Sequence, residues 1–130
     1  MHSIRGIEEK RKIDEIGKFL FLASDIWFKE GYPKYWNLSN VKELGLANNG
    51  EVNFTKLYLL QQMGYSRFSS LMNLGNYRVY YRVYNETNAT LFEFPENGRP
   101  LNPKILVKIK RFLVFNSTPA ILDVILWEEE

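Results

Sequence analysis

The spacing of apolar residues changes period once along this chain, and that change limits the fold more than any other feature. From Ile4 to about Lys29, Ile13, Ile16, Phe19/Leu20, Ala23 and Ile26/Trp27 recur at steps of three and four. Glu8, Glu9, Lys12, Glu15 and Lys18 fall on the other side, which is the pattern of one long amphipathic helix. From residue 76 the period is two. Tyr77, Val79, Tyr81 and Val83 share one strand face, and Arg78, Tyr80, Arg82 and Tyr84 share the other. Helix first and strands afterwards, joined by short loops, predicts an α+β domain with the long helix packed on an antiparallel β-meander of about four strands.

The intervening segment, 31–75, is rich in turns. Gly31 stops the first helix and Pro33 forbids its continuation. Asn53 suits the N-cap of a helix from Phe54 to about Met63, and Ser66 that of one from Arg67 to about Asn73. Gly45 and Asn48-Asn49-Gly50 mark tight turns. In the sheet region, Asn85 to Asn88 form a loop and Thr90 to Phe94 pair back as a hairpin. Lys104 to Phe115 is a long strand with Ile105, Val107 and Ile109 inward, and the blurred pattern at Lys110-Arg111 suggests a bulge. Ala120 to Trp127 is the last strand. With 130 residues and no low-complexity linker or internal repeat, the chain reads as a single domain, 1–130.

Little in the chain announces a chemistry. His2 is the only histidine and there is no cysteine, so zinc sites and Ser-His or Cys-His nucleophilic catalysis lack their residues. No phosphate-binding glycine motif is present, and no cofactor is implied. Glu93 and Asp123 are the in-sheet acids, best read as partners of neighbouring Lys or Arg and not as a glycosidase pair. The Arg78/Tyr80/Arg82/Tyr84 face is the candidate binding surface, extended by Lys104, Lys108, Lys110 and Arg111. Interleaved Arg and Tyr can stack bases and hold phosphates. Against that reading, the net charge is only +2, and Arg–Tyr pairs are good cross-strand neighbours in any sheet.

Five Asn-x-Ser/Thr triplets begin at Asn37, Asn53, Asn85, Asn88 and Asn116, none with proline in the middle. About one is expected from the content of Asn, Ser and Thr, so the chain is enriched in N-glycosylation acceptors. Asn85, Asn88 and Asn37 are the glycosylation candidates. Asn53 is read as a helix cap and Asn116 as a turn residue. Acceptor triplets without disulfides fit a prokaryotic, especially archaeal, cell exterior, and a cytoplasmic origin explains the missing cysteine equally well. No run reaches the roughly 20 apolar residues of a membrane helix, so an exported protein would need its signal or anchor upstream.

One stretch carries more than composition. Gly31-Tyr32-Pro33-Lys34-Tyr35-Trp36-Asn37, then Val41 and Leu44-Gly45-Leu46-Ala47, then Asn53, Lys56 and Leu57, resembles archaeal type IV pilin-like surface proteins. The likeness continues through Tyr65, Leu74-Gly75 and the Tyr-rich strand to Trp127. It implies a non-enzymatic, extracellular structural subunit acting in filament assembly or adhesion. Its partners would be other pilin-like subunits, met through the N-terminal helix, with membrane contact only through an upstream segment. Gly31, Pro33, Trp36 and Gly45 are then fold determinants. The alternative is a cytoplasmic module that binds nucleic acid or protein through the Arg/Tyr face.

Overall fold

A computed structural model describes residues 2–101 and 103–129. The side chains of residues 2–9 and 129 lie outside that description, and with them the sequence expectations for His2, Glu8 and Glu9; so does Glu130. The architecture is α+β. Helix α1 (His2–Asp25) runs into a 3-10 turn (Ile26–Phe28), as the apolar periodicity predicted. Ile16, Ala23, Ile26 and Trp27 are buried, with Phe19 and Leu20 packed against them. Only the C-terminal half of α1 therefore lies on the domain. Ile13, expected on the core side, is 62% exposed. The Lys12 ammonium already meets Glu128 at 3.0 Å near the end of the last strand, so at residue 13 the helix is passing the rim of the sheet.

Beyond α1 the chain folds into a compact knot. Gly31 adopts φ +76°, and its backbone lies directly against that of Gly45. A Cβ on Gly45 would collide with the Gly31 nitrogen and the Lys29 carbonyl oxygen, so glycine is required by space there. Trp36 is buried and its Nε1 donates to the Gly45 carbonyl at 2.8 Å. Tyr32 bridges to Glu43, and the Tyr32–Pro33 peptide is cis. Leu46 and Ala47 donate backbone hydrogen bonds to Ile26 (2.7 Å) and Lys29 (3.1 Å), tying the segment to the end of the helix. The expected turn at Asn49-Gly50, with φ values of 53° and 80°, closes a small hairpin of β1 (Ala47–Asn48) and β2 (Glu51–Val52).

Helix α2 (Phe54–Met63) starts where expected. The Asn53 side chain accepts from Lys56 N, and its own amide donates to Asn48 Oδ1 at 2.9 Å. Lys56 then does something its type rarely does. At 2% exposure, its ammonium donates to the carbonyls of Glu30 (2.8 Å) and Ala47 (3.1 Å). Burial pushes its pKa below the ordinary lysine range. Helix α3 (Tyr65–Met72) starts earlier than the sequence suggested, and Ser66 is not its cap. Gly64, at φ +81°, ends one helix and begins the next, its nitrogen bonded to Leu60 and its carbonyl to Phe68.

The sheet comprises β3 (Tyr77–Tyr84), β4 (Thr90–Phe94), β5 (Pro103–Phe115) and β6 (Thr118–Glu129), all antiparallel, in the order β4-β3-β6-β5. Two hairpins are thus joined along β3 and β6, which refines the meander at one connection. Since β4 and β5 are opposite edges, the connection that leaves Phe94 traverses a sheet face, with Arg99 and Pro100 beside Tyr80 and Ile125. The eight residues between Phe94 and Pro103 are more than a tight hairpin needs and enough to make that traverse. The expected bulge at Lys110-Arg111 is absent, and the register instead shifts between Pro103 and Ile105. Strict alternation puts Arg111 on the helix side. There its guanidinium lies 4.3 Å over the Phe28 ring and donates to Ser24 Oγ at 3.1 Å, satisfying a cation at the rim of the core.

The inward residues Tyr77, Val79, Tyr81 and Val83 are all buried, as read from the sequence. Trp27 packs edge-on against Tyr81 and Phe92, and Phe68 against Tyr81 and Phe94. The Tyr81 hydroxyl donates to the Ala23 carbonyl at 2.7 Å, and burial holds its pKa well above the ordinary phenol range. A raised phenol pKa keeps the proton on the folded protein while the unfolded chain ionises near pH 10. Its contribution is therefore complete below about pH 10 and lost as pH rises beyond it. We expect Tyr81→Phe to cost about 1 kcal/mol at neutral pH and to flatten the alkaline decline in stability, measured by urea unfolding from about pH 8 to 11. Parallel pH profiles for the two proteins would contradict this.

Candidate functional site on the outer sheet face

The sheet face away from α1 gathers most of the ionisable residues singled out in the sequence. Register aligns Arg78 with Trp127 and Leu106, Tyr80 with Ile125 and Lys108, Arg82 with Asp123 and Lys110, and Tyr84 with Ile121 and Phe112. This face was read as a candidate binding surface, yet Tyr80 is 2% and Tyr84 8% exposed. Two causes act. The traverse after Phe94 brings Arg99 and Pro100 over Tyr80 and Ile125, and long cations lie on the Tyr84 ring.

Arg82 lies 4.4 Å over the Tyr84 ring, its Nε donating to Thr90 Oγ1 (2.9 Å) and its terminal nitrogen to the Asn88 carbonyl (2.8 Å). Lys110 also caps Tyr84, at 5.2 Å from the centroid, and Arg78 lies 4.5 Å over Tyr65. The Tyr84 ring, which base stacking would need, is covered by the chain's own cations. The face presents charged edges more than aromatic planes.

Asp123 organises the centre. At 6% exposure it pairs with Lys108 (3.3 Å) and Lys110 (3.2 Å) and accepts from the Tyr84 hydroxyl (3.2 Å). Lys110 also donates to the Tyr84 oxygen, and the hydrogen bonds to Tyr84 and Asp123 raise its pKa. Glu93 accepts from the Tyr80 hydroxyl at 2.5 Å; burial and then that bond raise the phenol's pKa, while Arg99 bonded to the same oxygen opposes the shift. Asp123 therefore has the lysine partners expected of it, whereas Glu93 is met by a tyrosine hydroxyl. Of the basic extension, Lys108 and Lys110 belong to this face, Lys104 lies beside the register shift, and Arg111 belongs to the opposite face. Among the described residues, no three His, Asp or Glu gather as metal ligands.

A cleft of about 340 Å³ opens between the traverse and the strands, with Tyr80 and Asp123 at its base and Arg99, Pro100 and Lys108 around it. Sequence reasoning missed Arg99 and Pro100. The available signal was the length of the segment between Phe94 and Pro103, too long for a turn.

The acceptor asparagines divide by what their side chains already do. Asn53 is committed to its cap and to Asn48. Asn37 accepts from Ser39 N and Asn40 N, and Asn85 from Thr87 N, Thr87 Oγ1 and Ala89 N, so both organise their own loops. Asn116, at φ +52°, sits with Ser117 (φ +64°) in the two-residue turn between β5 and β6. Asn88 is exposed at φ +67° on the tip of the β3–β4 loop.

Comparisons with protein-family models, curated proteins and solved structures gave no match. No helix of the described residues is long and apolar enough to cross a membrane.

Replacing Asp123 by Asn keeps its shape and removes the charge that holds two lysines. We expect Asp123→Asn to cost about 2 kcal/mol by urea denaturation, and Glu93→Gln under about 1 kcal/mol. Equal costs would show that Asp123 does not organise the face.

Proposed function

We propose that this chain is a structural, non-enzymatic subunit of the type IV pilin-like class, exported to the cell surface and acting in filament assembly or adhesion. The observation that carries this reading is the exposed flank of α1. Ile13, Gly17 and Phe21 succeed one another at steps of four along a helix whose other side is buried. Ile13 and Phe21 are 62% and 59% exposed, and Gly17 has open space around it. An apolar ridge on a helix that is already packed on its own domain suits a second helix of an assembly.

The molecule's polarity supports the same reading. Residues 2–11 of α1 run on past the sheet end marked by the Lys12–Glu128 pair. The β3–β4 loop with Asn85 and Asn88, and the turn with Asn116, lie at the opposite end. A subunit assembled through the helix would thus hold three of its acceptor asparagines away from the contact. The Gly31–Gly45 knot, which carries the family resemblance, fixes the helix to the head as such a subunit requires.

The test uses Phe21→Glu introduced on the native gene. We expect peptides of the wild-type chain in sheared surface filaments and at least tenfold fewer from the variant, with thermal midpoints within about 3 °C. Recovery of the wild-type chain only from cytosol, or equal incorporation of Phe21→Glu, would overturn the proposal.

A further inference from the structure

The outer-face cleft fits a ligand, whether or not the chain assembles into filaments. Three cations, Arg82, Arg99 and Lys108, surround one carboxylate, Asp123. Arg82 and Lys108 rise from strands on either side of β6, while Arg99 comes from the traverse above. The cationic surplus calls for an anionic group. Asp123 limits which one. Its carboxylate lies at the base of the cleft, 6% exposed, and repels a ligand that offers negative charge alone. A ligand that also brings hydroxyl donors turns that oxygen from an obstacle into a partner. Tyr80 adds a phenolic oxygen at the base, already poised between Glu93 and Arg99. Pro100 and Ile125 supply apolar wall. One carboxylate, several hydroxyls and a face of C–H groups are the features of a uronic acid residue in an acidic polysaccharide. At about 340 Å³ the cleft lies at the small end of ordinary ligand sites, which suits a single sugar ring.

We infer that this cleft binds one uronic acid residue of an acidic polysaccharide, its carboxylate held between Arg99 and Lys108 and its hydroxyls donating to Asp123. A sulfate meets the cations but has no proton to donate to Asp123. A neutral sugar satisfies Asp123 but leaves the cations without an anion. Single-stranded nucleic acid would need open aromatic planes, and the Tyr84 ring lies under Arg82 and Lys110. The ligand choice is thus set by the mixture of charges in the cleft and not by its positive charge alone.

The test is an amide chemical-shift titration of the full chain with trigalacturonate, maltotriose and inorganic sulfate. We expect saturable shifts centred on Tyr80, Arg99 and Ile125 with trigalacturonate at a Kd on the order of 1 mM, and at least tenfold weaker responses to the other two probes. Arg99→Ala and Lys108→Ala each weaken trigalacturonate binding about tenfold, with thermal midpoints within about 3 °C of the parent. Absence of shifts up to about 10 mM, an equal response to maltotriose or to sulfate, or unchanged affinity in both variants would overturn the inference.

Discussion

Two backbone segments lie in direct contact where Gly31 meets Gly45, and the remainder of the domain is arranged around that contact. The end of the first helix, the β1–β2 hairpin and the start of α2 converge on it. Trp36 closes it from one side through the Gly45 carbonyl, and Lys56 closes it from another through the carbonyls of Glu30 and Ala47. A buried lysine is costly unless its donors are met, and here two fixed carbonyls meet it. Asn53, which caps α2, places that lysine in the helix's first turn. The direction in which α1 leaves the head thus depends on backbone that has no room for side chains and on one cation held by carbonyls in the interior.

The sheet inherits its two characters from this arrangement. Its inner face receives α1 and the short helices, and there the aromatic side chains pack at their edges around Trp27, Phe68 and Tyr81. On its outer face, charge and the traverse between β4 and β5 protect the tyrosines. Joining the hairpins along β3 and β6 makes that traverse necessary, and the traverse makes the cleft. The topology therefore creates a recessed polar site on what a simple meander would leave as a flat surface. The assembly proposed for α1 and the recognition proposed for the outer face would use opposite sides of the sheet.

Much of the fold was legible in the sequence because it rests on local signals. The helix announced itself by its period, α2 by Asn53, and β3 by strict alternation through Tyr84. The failures at Ile13 and Arg111 share a cause: they depend on contacts made far away in the chain. Ile13 obeys the helical period but sits past the sheet's rim. Arg111 looked like a break in alternation because its charge is satisfied by Ser24, 87 residues earlier, and by the Phe28 ring. Ser66 is a good cap by type, but Gly64 had already turned the chain. The binding face was half legible. Arg78, Tyr80, Arg82 and Tyr84 do share a face, but their burial is decided in part by Arg99 and Pro100, which reach Tyr80 only through the strand order. The acceptor triplets were visible as motifs, while the bonds that commit Asn37, Asn53 and Asn85 to their own loops are set by backbone geometry.

Native-state hydrogen exchange tests the central place of the glycine contact most directly. The amides of Leu46 and Ala47 donate to Ile26 and Lys29 across it, and Tyr81 and Val83 lie in the middle of the sheet, paired with both β4 and β6. If the knot holds helix and sheet together, both sets open only when the whole domain unfolds, and their exchange free energies agree within about 1 kcal/mol. Exchange at Leu46 and Ala47 through a local opening, about 3 kcal/mol or more below the sheet amides, would show that the knot opens by itself and would contradict its central role.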